Sequence, residues 1–300
     1  MAPNFRYKKL GYVALNVTDI EKSAVFYQDM VGLDPMGDGP GGCKFFRCSS
    51  DHHNMILYPN KIAGLKRVGW EMESEKQLDN AFEHFTSIGL KPYWIDEAEQ
   101  KGLKQGRTFR QTEPNTGATF EYYAAITQFI PPYSQKVTKI ARLGHVVLSV
   151  ANFEKTLKFF TEQLNYKVSD YIPGMFAFTR CFPNPFHHSM AFGQGTDNHL
   201  NHVNFMVTDI NDVGKGNIRA QKMQIPIVFG PGRHPPSDSI FVYFLDPDEM
   251  TIEFSFGMEE FPEINPREPR MLEPSLETLD YWGGAPSPRF GAKGVIETLG

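Results

Sequence analysis

The chain has 300 residues and a formal net charge of −5, with 41% hydrophobic, 22% charged and 13% aromatic residues. That length suits one large domain or two modules, with ample apolar material for a core. The mildly acidic balance leaves no basic footprint for nucleic acid, and no apolar run approaches the roughly 20 residues that cross a bilayer.

The opening stretch, MAPNFRYKKLGYVALNV, lacks the apolar run of a signal peptide. Cys43, Cys48 and Cys181 are odd in number and lack metal-finger spacing. A cytoplasmic location is therefore expected.

The first elements in the chain recur later. LGYVALNVTDIEKSAVFYQDMVGL begins at Leu10, and LGHVVLSVANFEKTLKFFTEQLNY begins at Leu143, 133 residues on and without a gap. In the first copy Ile20, Ala24, Tyr27 and Val31 mark one face of a helix. Phe153, Leu157, Phe160 and Leu164 repeat that face at the same offset. Asp19 and Asn152 are good N-cap types. Gly32 and Asn165 follow the helices, and both tolerate the left-handed conformation of a helix end.

Further pieces match approximately. DHHNMILY from Asp51 resembles FHHSMAF from Phe186, and GATFEYY from Gly117 resembles EMTIEFSF from Glu249. Each module reads as α+β: strand, helix, several strands, and a second inserted helix. That helix is predicted near Glu75 to Ile88, with Leu78, Phe82 and Phe85 on its apolar face, and again near Asn211 to Met223. Gly214 and Gly216 weaken the second helix pattern. IPPYSQ breaks the chain between Thr127 and Thr138. From Gly257 the tail is rich in Pro, Gly and Glu and reads as an arm wrapped on the domain, ending in disorder. The expected divisions are an N-terminal module over 1–130 without metal, a C-terminal catalytic module over 139–257, and the arm over 258–300.

Alternation assigns the strand faces. Val146, Leu148 and Val150 form an apolar face opposite His145, Val147 and Ser149. Val203, Phe205 and Val207 lie opposite His202. Ile252, Phe254 and Phe256 lie opposite Glu253, and Val242 and Phe244 lie opposite Tyr243. Two histidines and one carboxylate on cavity-facing strand positions fit the facial ligand set of a non-haem Fe(II).

Paired modules carrying His145, His202 and Glu253 resemble the type I extradiol ring-cleavage dioxygenases of the vicinal oxygen chelate superfamily. The resemblance spans roughly residues 7 to 256. NPFHHSMAF resembles the segment that carries the family's active-site histidine, at His188. GPGRH resembles the segment with a pocket histidine, at His234, and Tyr243 matches the pocket tyrosine.

The resemblance implies a fold of tandem βαβββ modules, each pair curling into a cup-shaped barrel. It assigns His145, His202 and Glu253 to Fe(II), with Mn(II) also compatible. His188 would be the acid–base group, with His234 and Tyr243 hydrogen-bonding the substrate. It implies extradiol ring cleavage of a small aromatic diol with O2 as co-substrate, in aromatic catabolism, by a cytoplasmic homo-oligomer. His187 points away from His188 and reads as its support. His52, His53, His84 and His199 read as structural.

In module one Tyr12 stands where His145 stands in module two, Gly69 lies near the equivalent of His202, and only Glu121 is kept. The alternatives are a glyoxalase-like isomerase or lyase, which would draw ligands from both modules, and a metal-free ligand-binding protein. Met175, Phe176, Phe178, Phe192 and Ile172 are expected to line the pocket, Arg180 is no confident anchor for a carboxylate, and Arg267 or Arg289 is a candidate to close its mouth.

Overall fold

The computed structural model describes residues 3–298. β1 (Tyr7–Val17) leads into α1 (Ile20–Phe26), whose final turn widens into a π turn over Tyr27–Val31. The Asp19 carboxylate accepts the Lys22 backbone N–H at 3.0 Å, and Gly32 ends the turn at φ +95°. β2 (Asp34–Asp38), β3 (Lys44–Arg47) and β4 (Met55–Pro59) follow. The pattern then repeats as β5 (Gly64–Met72), α2 (Glu75–Ser87), β6 (Tyr93–Trp94), a short α3 (Glu97–Gly102), β7 (Thr108–Thr112) and β8 (Thr119–Tyr123). β1 lies at the centre, parallel to β4 and antiparallel to β5, and β5 runs parallel to β8. The strand order is β2–β3–β4–β1–β5–β8–β7–β6.

The second half has the same plan. β9 (Ile140–Val150), α4 (Phe153–Gln163), β10 (Tyr166–Ile172), β11 (Phe176–Cys181) and β12 (Met190–Gln194) form its first unit. β13 (His199–Val207), α5 (Ile210–Lys222), β14 (Ile227–Arg233), β15 (Ile240–Leu245) and β16 (Thr251–Phe256) form its second. Their order is β10–β11–β12–β9–β13–β16–β15–β14. Asn152 caps α4 through the Lys155 N–H, and Asn165 after it sits at φ +56°. The α+β fold of tandem βαβββ units expected from the sequence is therefore present.

α5 forms despite its two glycines. A Cβ on Gly216 would meet the Phe254 ring at 2.7 Å, so glycine is what lets α5 lie against β16. Gly214 faces open space. Tertiary packing outweighs the helix propensity lost there.

One continuous core runs through both halves. It joins Val13, Leu15, Trp70 and Phe120 to Val146, Leu148, Phe160 and Phe192. The Tyr7 hydroxyl donates to the Leu164 carbonyl at 2.8 Å, and Tyr166 packs edge-on against Tyr7 and Trp70. His84 contacts the Gln163 carbonyl at 3.0 Å across the same junction. The connection between the halves crosses without a helix or strand, with the Tyr133 hydroxyl 2.8 Å from the carbonyls of Gly32 and Thr138.

The tail contributes β17 (Arg270–Met271), parallel to β10, then α6 (Leu276–Leu279) and β18 (Val295–Ile296). β18 pairs with β13 on one side and β5 on the other. The arm thus straps the second half and fastens it to the first. The expected disordered end is not seen as far as Thr298; residues 299–300 lie outside the described residues.

Candidate active site

The strand faces divide as alternation requires. Val146, Leu148 and Val150 enter the core, while His145, Val147 and Ser149 line a cavity of about 320 Å³. Ile252 and Phe254 are core, and Glu253 between them faces the cavity; Tyr243 does the same between Val242 and Phe244. β13 needs one irregularity. Leu200 is in the core and His202 is in the cavity, and a register shift between them turns the chain over.

His145, His202 and Glu253 meet on the floor of this cavity. His145 Nε2 is 2.9 Å from Glu253 Oε2, His202 Nε2 is 3.4 Å from that oxygen, and the two Nε2 atoms are 3.2 Å apart. Three donors about 2.1 Å from one ion at right angles would stand about 3.0 Å apart, so the spacing fits a facial metal site. The buried Glu253 Oε2 receives no hydrogen bond from the protein, so it faces that common point without a proton donor of its own. Asn201 Oδ1, 2.8 Å from His202 Nδ1, takes the N–H of that ring and turns the Nε2 lone pair inward. Burial pulls the His145 imidazole down to about 4, which keeps it neutral and able to ligate. Burial would raise the Glu253 carboxyl, but the facing imidazoles outweigh it and hold the group below the ordinary carboxylate range.

His188, His234 and Tyr243 surround these three residues. The His188 ring centroid lies 4.0 Å from that of His145 and 5.1 Å from that of Phe178. His234 Nδ1 donates to the Leu279 carbonyl at 2.7 Å, so its Nε2 accepts the Tyr243 hydroxyl at 2.9 Å. Burial lowers the His234 imidazole and raises the Tyr243 phenol, consistent with a neutral pair. His199, by contrast, ties Asp197 to the Gly291 carbonyl of the arm.

The rest of the wall is largely apolar: Ile172, Met175, Phe176, Phe178, Phe229 and Phe290. Phe192 corrects the expectation, because it packs on Phe160 in the core at 4.4 Å between centroids. It pairs with Ala177 and Leu148, which also point inward, whereas Phe176 pairs with Gly193. Arg180 bonds Ser169 Oγ at 3.1 Å and stacks on Phe261. Neither arm arginine closes the mouth: Arg267 binds Asp170 and Glu259, and Arg289 pairs with Glu249. Sequence reasoning missed Asn201, Phe229, Phe290 and the Leu279 carbonyl. Asn201, adjacent to a strand histidine, was the one with a readable signal.

The first half has a different arrangement at the same place. Glu121 accepts the Tyr12 hydroxyl and the Arg110 Nε–H, the latter at 2.8 Å. Register shows that the counterpart of His202 is Arg67, not Gly69. Ala14 pairs with Arg67 as Val147 pairs with His202. Arg67 Nε lies 3.5 Å from Glu121. Gly69 is instead where the Tyr12 ring lies, since a Cβ there would meet it at 2.1 Å.

Residues 9–122 and 142–254 match the family described as Glyoxalase/Bleomycin resistance protein/Dioxygenase superfamily, and the chain belongs to it. Relatives that match most of its length include named dioxygenases. A manganese-dependent 2,3-dihydroxybiphenyl 1,2-dioxygenase of Geobacillus genomosp. 3 is 28% identical, covering 80% of this chain and 81% of the relative. An iron-dependent extradiol dioxygenase of Rhodococcus jostii is 24% identical, covering 82% and 88%. Among solved structures, BphC, a halotolerant catechol dioxygenase, shares the fold at TM-score 0.88 and 21% identity, covering 98% of this chain and 99% of that one. A Mn(II)-bound glyoxalase from Novosphingobium aromaticivorans aligns at TM-score 0.85 and 25% identity, covering 98% of each. No helix among the described residues is long and apolar enough to cross a membrane.

Proposed function

We propose that this chain is an extradiol dioxygenase that opens a catechol-type ring beside its vicinal hydroxyls, using O2 and a divalent metal held by His145, His202 and Glu253. The observation that carries this reading is the convergence of those three donors beneath a mostly apolar cavity, with His188, His234 and Tyr243 around them. When bound, iron(II) or manganese(II) supplies the electron exchange between diol and dioxygen that side chains cannot perform. Relatives of both metal dependences are consistent with either ion.

The side chains do the rest. His188 accepts a proton from the diol and returns one as the ring opens. Tyr243, oriented by His234, hydrogen-bonds a diol oxygen. Phe178, Phe229 and Phe290 exclude water and grip the ring. Among the described residues no Lys or Arg lines the cavity, which favours an uncharged substituent, such as an alkylcatechol or a 2,3-dihydroxybiphenyl-like diol. The protein is proposed to act as a cytoplasmic homo-oligomer in aromatic catabolism.

The likeness to a glyoxalase structure supports an isomerase as the second reading. Against it, all three metal donors come from the second half, and Arg67 stands in the first-half counterpart. The test is anaerobic loading with Fe(II) or Mn(II), then oxygen and a panel of mono- and bicyclic catechols. Stoichiometric oxygen uptake with a yellow ring-opened product is expected. No uptake with either metal, together with turnover of a hemithioacetal, would establish the isomerase instead.

A further inference from the structure

We infer that a buried Asp170–His187 pair, clamped by Arg267 and Arg270 of the arm, holds His188 in a single tautomer, with its proton on Nδ1 and its Nε2 lone pair left for the cavity. The catalytic consequence rests on the acid–base role proposed for His188; the tautomer itself does not.

The chain of hydrogen bonds leaves one arrangement. Asp170 and His187 are fully buried. Arg267 donates to both Asp170 oxygens, at 2.9 and 3.0 Å. Arg270 does so at 3.0 and 2.6 Å, and adds its backbone N–H at 2.9 Å. Five donors on one carboxyl fix it as a carboxylate, which has no proton to give. His187 Nε2, 2.8 Å from Asp170 Oδ2, must therefore carry the hydrogen.

Burial lowers the His187 imidazole and outweighs the opposing pull of the Asp170 hydrogen bond and charge. A neutral His187 with its proton on Nε2 has only a lone pair on Nδ1. That atom lies 3.0 Å from His188 Nδ1, so the donor in this contact is His188. Its Nε2 is then the free acceptor of a ring that lines the cavity. Asp170, His187 and Glu259 are near enough together to ligate a metal. Arg267 and Arg270 already supply the cations there, with Arg267 also bidentate to Glu259 at 2.7 Å on each oxygen.

This makes His187 and Asp170 positioning residues and gives the arm a part in the chemistry. The test uses the full-length protein with ¹⁵N-labelled histidine, metal-stripped for long-range ¹H–¹⁵N spectra and metal-loaded for kinetics. Wild-type His188 is expected as the Nδ1–H tautomer. In His187→Asn the amide oxygen stands close to the lost Nδ1 acceptor, so the tautomer should persist. In His187→Phe the ring packs but accepts nothing, so both tautomers should appear and kcat should fall roughly 10–100-fold, with KM for the diol little changed.

Wild-type His188 found as the Nε2–H tautomer would overturn the inference without any variant. So would Asn and Phe variants that behave alike in both spectra and kcat, since that describes packing alone. A tautomer that follows His187 while kcat stays constant would uphold the inference and refute the acid–base role of His188.

Discussion

The two halves place a carboxylate at the same strand position and surround it differently. In the second half Glu253 faces two imidazoles and a mostly apolar cavity of about 320 Å³. In the first half Glu121 faces Arg67, Arg110 and the Tyr12 hydroxyl, beside a cavity of about 330 Å³ lined by Lys66, Glu99 and Glu297 as well. A guanidinium is a permanent cation that brings its own donors. It stands where the other half has the proposed metal site. The fold supplies the carboxylate and the cup, while the residues opposite the carboxylate decide whether the site is closed by the chain or left open.

The largest expected effects come from removing each carboxylate. Glu253→Ala should abolish stoichiometric metal binding and lower turnover by more than the 10–100-fold typical of losing a group behind a ligand. Glu121→Ala should leave metal content intact. It should cost about 3–5 kcal/mol of stability, because it leaves the buried Arg67 guanidinium without a carboxylate, while Arg110 keeps Glu99. Metal analysis and denaturant unfolding separate the two outcomes. If Glu121→Ala lost the metal, the division of labour between the halves would be wrong.

His188→Asn should follow, with kcat reduced about 100-fold or more while metal content and melting temperature hold. Its counterpart, His53→Asn, touches only the closed half, where His53 packs on Tyr12 and Phe45. It should leave kcat unchanged and show its effect in melting.

Acid should affect the metal-free protein in both halves. Burial pulls His145 and His52 to about 4 from an ordinary 6.5. Between those values the unfolded chain binds more protons at these two groups, so their contribution to stability is expected to fall as pH drops from about 6.5 towards 4, while Asp246, which burial raises to about 7, contributes in the opposite sense. The His145 share is on the order of 3 kcal/mol. Thermal melts across that range check the sign. Bound metal should move the onset to lower pH, since protons must displace it from His145.

The smallest effects test the scaffold beneath the open site. Gly216→Ala pushes a methyl against Phe254, next to Glu253, and should lower stability by about 1 kcal/mol or more. Gly214→Ala has open space around it and should raise stability by up to about 1 kcal/mol.

Much of this comparison was legible in the sequence. The repeat from Leu10 to Leu143 carried the helix caps, the helix faces and the β1–β9 correspondence. Alternation in β9, β15 and β16 placed His145, Tyr243 and Glu253 on the cavity face. Arg67 was not legible, because the offset between the halves grows from 133 at Tyr12 and His145 to 135 at Arg67 and His202. A single constant offset therefore pointed to Gly69. Phe192 was misplaced because its face is set by the strands beside it. Asp170 is an acidic residue in an otherwise strand-like VSDYI, and that oddity was visible. Its partners Arg267 and Arg270 lie 97 and 100 residues further along, and only the fold of the arm brings them there.

The most direct test of the central claim is diffraction from crystals soaked anaerobically with Mn(II), measured at the manganese absorption edge. One anomalous peak per chain is expected, about 2.1 Å from His145 Nε2, His202 Nε2 and a Glu253 oxygen. A peak at Glu121, or beside Asp170 and Glu259, or none at Glu253, would contradict it.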